Sequence, residues 1–178
     1  MKEITILDRK FGEMIPASDI DTRITEMAEE INRDYEGKEV VFLVILNGAF
    51  MFASDLFRRI RLDAKISFVK LVSYEGIRSS GNVRELIGIN EDISDKHLIV
   101  IDDIVDTGHT MEAIIEELSK RKVAGVKVAT LLFKPAAYLK NLPVDYVGFK
   151  IPNDFVVGYG LDYEGFGRNM TSIYTLTK

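Results

Sequence analysis

The amino-acid pattern is that of an α/β protein built on a central, mostly parallel sheet flanked by helices. Three observations carry that expectation. Short β-branched apolar runs recur along the 178 residues, and stretches with apolar side chains at helical spacing lie between them. A third is that the best of these runs is continuous rather than alternating, as in a strand covered on both faces.

The first ten residues, MKEITILDRK, alternate charged and apolar side chains and lack the long apolar stretch of a secretory signal. Ile20, Ile24, Met27, Ala28 and Ile31 then recur at helical spacing, with Ser18 as the expected N-cap and Gly37 just past the end. Residues 40–46 (VVFLVIL) are too short and too β-branched for a helix and read as a strand buried on both faces. Asn47-Gly48 breaks that strand. Ala49, Ala53, Leu56 and Ile60 mark the next helix, and residues 66–72 the next strand, completing a β-α-β unit. A second unit comprises strand 98–101, a loop, a helix with Met111, Ile114, Ile115 and Leu118 on one face, and strand 126–132. Between the units, residues 74–83 (YEGIRSSGNV) are polar and read as a mobile loop at the tip of a hairpin that returns over 84–89. Apolar pieces at 146–149 and 155–157, with aromatic and Gly-rich sequence after them, are expected to form a last edge strand and a small cap. No repeat, low-complexity tract or linker divides the chain, so residues 1–178 read as one domain.

Composition narrows the function. There are 28 Asp plus Glu against 23 Lys plus Arg, a formal net charge of −5, and no cysteine. Disulfides, cysteine zinc sites, iron–sulfur clusters and a thiol nucleophile are thereby excluded, and a cytoplasmic location is expected. The longest apolar run is far below the roughly 18–20 residues of a membrane span, so no membrane partner is expected. An acidic chain also lacks the basic face with which nucleic-acid binders neutralise phosphates. Any anionic ligand must be met by local donors or by metal ions.

The informative stretch is residues 100–110, VIDDIVDTGHT. An apolar strand leads into Asp102 and Asp103, and Asp106, Thr107, Gly108, His109 and Thr110 open the following helix. Ligands of open α/β sheets bind beyond the carboxyl ends of the strands, and a helix N-terminus offers free N–H groups to a phosphate. Paired carboxylates suit ribose hydroxyls, which donate stronger hydrogen bonds to charged acceptors. On residue chemistry alone, Asp106 and Thr107 also suit plain helix caps, and Asp102 and Asp103 solvated strand-end acids.

Four apolar residues, two acids, two apolar residues and D-T-G-x-T resemble the signature with which type I phosphoribosyltransferases bind phosphoribosyl pyrophosphate (PRPP). Leu46-Asn47-Gly48, Ser73-Tyr74, Lys134, the run VGFKIPNDFVVGYGLD from 147 to 162, and Arg168 resemble the hypoxanthine-guanine phosphoribosyltransferases in the same order. The resemblance implies a type I phosphoribosyltransferase fold. Its core would span about residues 35–150, with a small hood from the N-terminal segment and about 151–178.

It also implies a Mg²⁺-dependent purine-salvage transferase that converts hypoxanthine and guanine with PRPP to IMP and GMP, releasing pyrophosphate. Under that resemblance Asp102 and Asp103 bind the ribose hydroxyls. Asp106 is the catalytic base and, with Thr107, Gly108, His109 and Thr110, cradles the 5′-phosphate. His109 stands where lysine is common, and an exposed first-turn role suits it equally. Asn47, Gly48 and Arg168 would meet pyrophosphate, with Asn47 replacing the lysine of several relatives and with a cis bond before it in many. Lys134, Phe155, Val156 and Asp162 would form the purine site, although Phe155 and Val156 also suit the core and Lys134 a solvated position. Asp102, Asp103 and Asp162 would hold the metal, although a solvent-facing ion pair also suits Asp162 and Arg168, and Ser73 and Tyr74 would sit at the base of a loop closing over PRPP.

A homodimer or homotetramer is expected from the resemblance, with the helix from Ala49 to Ile60 as a candidate interface, although core packing suits that helix at least as well. A regulator that keeps the PRPP fold while binding nucleic acid would carry a basic patch or an added helix-turn-helix, and the sequence has neither. A transferase for another base such as xanthine would differ only at the edges of the base pocket.

Overall fold

The computed structural model describes residues 2–74, 83–87, 89 and 92–177. Along the chain these form β1 (Glu3–Ile6), β2 (Arg9–Ile15), α1 (Ala17–Asp34), β3 (Val40–Ile45), α2 (Phe50–Phe57), β4 (Ala64–Tyr74) and β5 (Val83–Ile87). There follow β6 (His97–Val105), α3 (His109–Ser119), β7 (Gly125–Phe133), β8 (Tyr146–Lys150), β9 (Val156–Val157) and β10 (Ile173–Leu176).

The larger sheet has the order β5-β4-β3-β6-β7-β8. β4, β3, β6, β7 and β8 run parallel, and β5 returns antiparallel to β4. β3 is buried at every position because both faces of this sheet are covered. Val40, Phe42 and Val44 join the cluster under α1 and α2, with Ile24, Met27, Ile31, Phe52 and Leu56. Val41, Leu43 and Ile45 point the other way, into the cluster with Met111, Ile114 and Leu118 of α3. Successive strand residues alternate faces. Each large apolar side chain withdrawn from water in this way contributes about 1.5–3 kcal/mol.

The smaller sheet, in the order β1-β2-β10-β9, is antiparallel and joins the two ends of the chain. The alternation of residues 3–6 therefore marks a strand with one buried face, and the 155–157 piece contributes β9 here, while 146–149 becomes β8, the edge of the larger sheet.

Several expectations are corrected. Ser18 does not cap α1: the N-cap is Pro16, whose carbonyl accepts from the amides of Asp19 and Ile20, while Ser18 Oγ donates to Asp19. The free amide of Ala17 instead reaches Ser172 Oγ at 3.2 Å, a partner from the far end of the chain. α2 ends at Phe57, and Ile60 lies past it in a tighter turn closed by its amide on the Phe57 carbonyl, although it still packs against the core. β6 does not stop before the two acids; it runs through them to Val105, because β7 continues to pair with it there. The hairpin tip at 75–82 lies outside the described residues. Ser73 and Tyr74 belong to β4 and pair through their backbones with Arg84 and Val83.

Candidate active site

The carboxyl ends of β3, β6 and β7 meet at one edge of the larger sheet. β6 carries Asp102 and Asp103 into its last stretch of pairing, with Asp102 opposite Thr130 and Val105 opposite Phe133. The chain then turns through 106–108 into α3. Gly108, the N-cap, has φ 85°, and a Cβ there would lie 2.4 Å from the Tyr138 ring, so both conformation and space call for glycine. No side-chain hydrogen bond caps α3, which sets aside Asp106 and Thr107 as caps, and the helix start faces the carboxyl edge of the sheet, where a helix N-terminus favours an anion. A cavity of about 80 Å³ opens here, bounded by Asp102, Ile104, Val105, Met111 and the 106–110 turn. A larger hollow of about 340 Å³, lined by Asn32, Arg33, Lys38 and Arg61, lies by the amino ends of β3 and β4, away from this edge.

The two acids differ in setting. Asp102 is 7% exposed and accepts the Asp103 amide at 3.0 Å; Asp103 accepts the Ile104 amide at 2.9 Å. Burial pushes the Asp102 carboxyl well above its ordinary range, and the adjacent Asp103 pushes it further the same way. Burial also raises Asp103, against the opposing pull of its hydrogen bonds and of the Arg168 charge. These acids are therefore not the solvated strand-end groups that their sequence position also allowed.

Asp103 lies directly against the turn after β3. A Cβ on Gly48 would come 1.6 Å from Asp103 Oδ2, so only glycine fits beside the carboxylate. The Leu46–Asn47 peptide in this turn is cis, Gly48 is buried and Asn47 is exposed. Gly160 abuts the same turn from the other side: a Cβ there would lie 2.1 Å from the Gly48 carbonyl oxygen.

Lys134 follows β7 and is 8% exposed, which removes the solvated position as an alternative. Its Nζ lies 3.0 Å from Asp106 Oδ2, an ion pair that uses one of three ammonium donors. Arg168 donates from one guanidinium nitrogen to the Gly160 carbonyl at 2.6 Å and from another to Asp162 Oδ1 at 2.6 Å. Asp162 Oδ2 accepts the Gly165 amide at 2.7 Å, so this carboxylate is already engaged on both oxygens. Val156 is buried in β9. Phe155 is 47% exposed and packs tilted against Phe11 of β2 (6.4 Å) and edge-on against Tyr163 (6.0 Å) in the segment between β9 and β10.

Among the described residues, no three His, Cys, Asp or Glu side chains are grouped to hold a metal ion. Asp102, Asp103 and Asp162 thus do not form a ready-made cage. What they offer fits a cation such as Mg²⁺ that keeps waters and takes most ligands from substrate oxygens plus one or two carboxylates. The side chains of Ser73 and Tyr74 lie outside what the structure describes.

Sequence reasoning missed Tyr159 and Asp55. The Tyr159 hydroxyl donates to Asp55 Oδ2 at 2.5 Å across 104 residues of sequence. An isolated tyrosine after Gly158 and a lone aspartate on α2 carry no local signal of that contact.

Fold and site together describe a parallel α/β sheet with paired acids and an uncapped helix start at its carboxyl edge. A family model for the phosphoribosyl transferase domain matches residues 16–164. The chain belongs to the phosphoribosyltransferase family, and its fold is the type I fold that the sequence motif implied. Among relatives, the chain is 40% identical over 164 residues to the hypoxanthine-guanine phosphoribosyltransferase of Staphylococcus aureus, covering 92% of each chain. It is 38% identical over 161 residues to the hypoxanthine phosphoribosyltransferase of Haemophilus influenzae, covering 88% of this chain and 90% of that one. A crystal structure of a hypoxanthine-guanine phosphoribosyltransferase from Bacillus anthracis superposes with a TM-score of 0.84 at 35% identity, over 93% of this chain and 96% of that one.

Proposed function

We propose that the protein transfers the phosphoribosyl group of PRPP to hypoxanthine or guanine, giving IMP or GMP and pyrophosphate. The observation that carries this reading is the 3.0 Å pair of Lys134 and Asp106 beside the uncapped start of α3. A 6-oxopurine presents O6 and N7 side by side. An ammonium aimed at O6 and a carboxylate at N7 match those two atoms, whereas adenine would set its amino group against the Lys134 donors.

In the reaction, N9 of the purine attacks C1 of the ribose, the bond from C1 to the pyrophosphate oxygen breaks with its electron pair, and positive charge spreads over the ring. The N7 proton of the incoming base passes to, or is held by, Asp106. Asp102 and Asp103 accept the ribose hydroxyls and favour the developing cation. The amides of 106–110, with the Thr107 and Thr110 hydroxyls and His109, hold the 5′-phosphate. Asn47, Gly48 and the unused donors of Arg168 meet pyrophosphate, and the exposed face of Phe155, with Val156 and Asp162, borders the base. When bound, Mg²⁺ would neutralise the pyrophosphate oxygens, held through Asp102, Asp103 and Asp162. The smaller sheet acts as the hood of a single catalytic domain, in a cytoplasmic homodimer or homotetramer.

The test is pyrophosphate release and nucleotide formation with PRPP and Mg²⁺, offering hypoxanthine, guanine, xanthine, adenine and uracil in parallel. Turnover confined to 6-oxopurines is expected. No nucleotide from any of them, or equal use of adenine, overturns the reading.

A further inference from the structure

The segment proposed for the base and the turn proposed for pyrophosphate are joined twice. Gly160 sits with its Cα against the Gly48 carbonyl, at a distance that leaves no room for a Cβ. One residue earlier, the Tyr159 hydroxyl donates to Asp55 Oδ2 at 2.5 Å, and Asp55 belongs to α2, the helix that starts directly after that turn. Tyr159 is 6% exposed and has φ 49°, a left-handed conformation that side chains rarely adopt, between Gly158 at 99° and Gly160 at 101°. Backbone bonds hold this shape: the amides of Gly158, Tyr159 and Gly160 donate to the carbonyls of Leu161, Met170 and Arg168. The phenol is thus delivered to Asp55 by a backbone geometry that the surrounding segment enforces.

Two arginines flank the pair. Arg58 reaches Asp55 Oδ1 at 3.5 Å, and Arg59 donates to the Asp55 backbone carbonyl, not its carboxylate. Burial, and after it the Asp55 hydrogen bond, push the Tyr159 phenol far above its ordinary 10.0, so it remains a donor at any working pH.

We infer that Tyr159 is a positioning residue whose bond to Asp55 couples occupancy of the pyrophosphate turn to the geometry of the base segment. A shift of the turn and α2 on binding pyrophosphate is carried to Tyr159 and on to Asp162. This rests on the base and pyrophosphate assignments above.

Hypoxanthine and Mg·pyrophosphate can occupy those two places together without reacting, since the phosphoribosyl group is absent. Calorimetry of hypoxanthine binding with and without saturating Mg·pyrophosphate therefore reads the coupling directly. In the native protein, pyrophosphate should tighten hypoxanthine by about 5-fold or more, a common size for site-to-site coupling. Tyr159→Phe and Asp55→Leu should each reduce that factor below about 2-fold, with each ligand's affinity alone and the thermal midpoint little changed. Coupling retained in folded Tyr159→Phe, or single-ligand affinities that fall equally while coupling persists, overturns the inference and leaves a structural bond only. Asp55→Leu, which keeps the branched shape of the side chain but offers no acceptor, decides the matter if Tyr159→Phe does not fold. Absence of coupling in the native protein overturns the inference alone, whereas failure to bind hypoxanthine at all overturns the proposed function beneath it.

Discussion

Lys134 Nζ lies 3.0 Å from Asp106 Oδ2, and the lysine is buried to 8% exposure at the end of β7. Each charge therefore satisfies the other. A buried ammonium left without an anion is costly, so substitutions on either side report on both.

Asp106→Asn keeps the shape of the side chain and removes its capacity to take a proton. Turnover should fall about 10²–10⁴-fold, the usual range for loss of general acid–base catalysis, with PRPP affinity nearly unchanged. Steady-state kinetics alongside direct PRPP titration checks this. An equal loss of both would show that Asp106 works by positioning.

Lys134→Met keeps the length of the stem and deletes the donor proposed for the purine O6. The value of kcat/KM for hypoxanthine should fall by about 10²-fold, as expected when a polar substrate atom loses its buried partner, and the preference over adenine should shrink with it. Competition assays with the two bases measure the ratio directly.

Asp102 and Asp103 set a pH dependence of stability. Burial raises both carboxyls above the ordinary 3.8, so above that value the folded state holds protons that the unfolded chain has released. The ligand-free protein must then lose stability as pH rises from about 4 through the folded pKa values, because the excess protons are on the folded side. Asp102→Asn removes most of this effect. The variant should be more stable than the native protein at neutral pH, by about 1–3 kcal/mol, the usual penalty of a buried polar group whose partners are incomplete. The two should be equal below about pH 4, where the native carboxyl is itself neutral, and the variant should be inactive throughout. Denaturant midpoints across that range give the answer. Midpoints that run parallel for the two proteins would refute it.

Gly48→Ala places a methyl group where Asp103 Oδ2 now lies, 1.6 Å away. The carboxylate or the turn must move, at about 1–3 kcal/mol as for other overpacked sites. PRPP affinity should drop by about 10-fold or more, since both groups proposed to hold it are displaced. Equilibrium binding and a thermal melt separate the two effects.

Asn47 is exposed in the same turn. Asn47→Lys adds a cation facing the proposed pyrophosphate position and should tighten Mg·PRPP a few-fold at low ionic strength. The gain should fade near 1 M salt, where screening acts within about 3 Å.

The alternation of strands and helices and the place of the acids were legible in the amino acids alone, because these follow from side-chain periodicity and from one contiguous motif. The even and odd residues of β3, split between the two core clusters, are that periodicity made physical. Its local limits were also visible: the cap of α1 went to Pro16 with Ser172 beyond it, and β6 ran past the acids because β7 kept pairing. Which side chains meet was settled only in three dimensions. Lys134 and Asp106 are 28 residues apart, Tyr159 and Asp55 are 104 apart, and the Arg168 charge acts on Asp103 from the segment between β9 and β10. Such contacts depend on how strands are ordered in space and on where glycines let backbones touch, as at Gly48 and Gly160. No period along the chain encodes them.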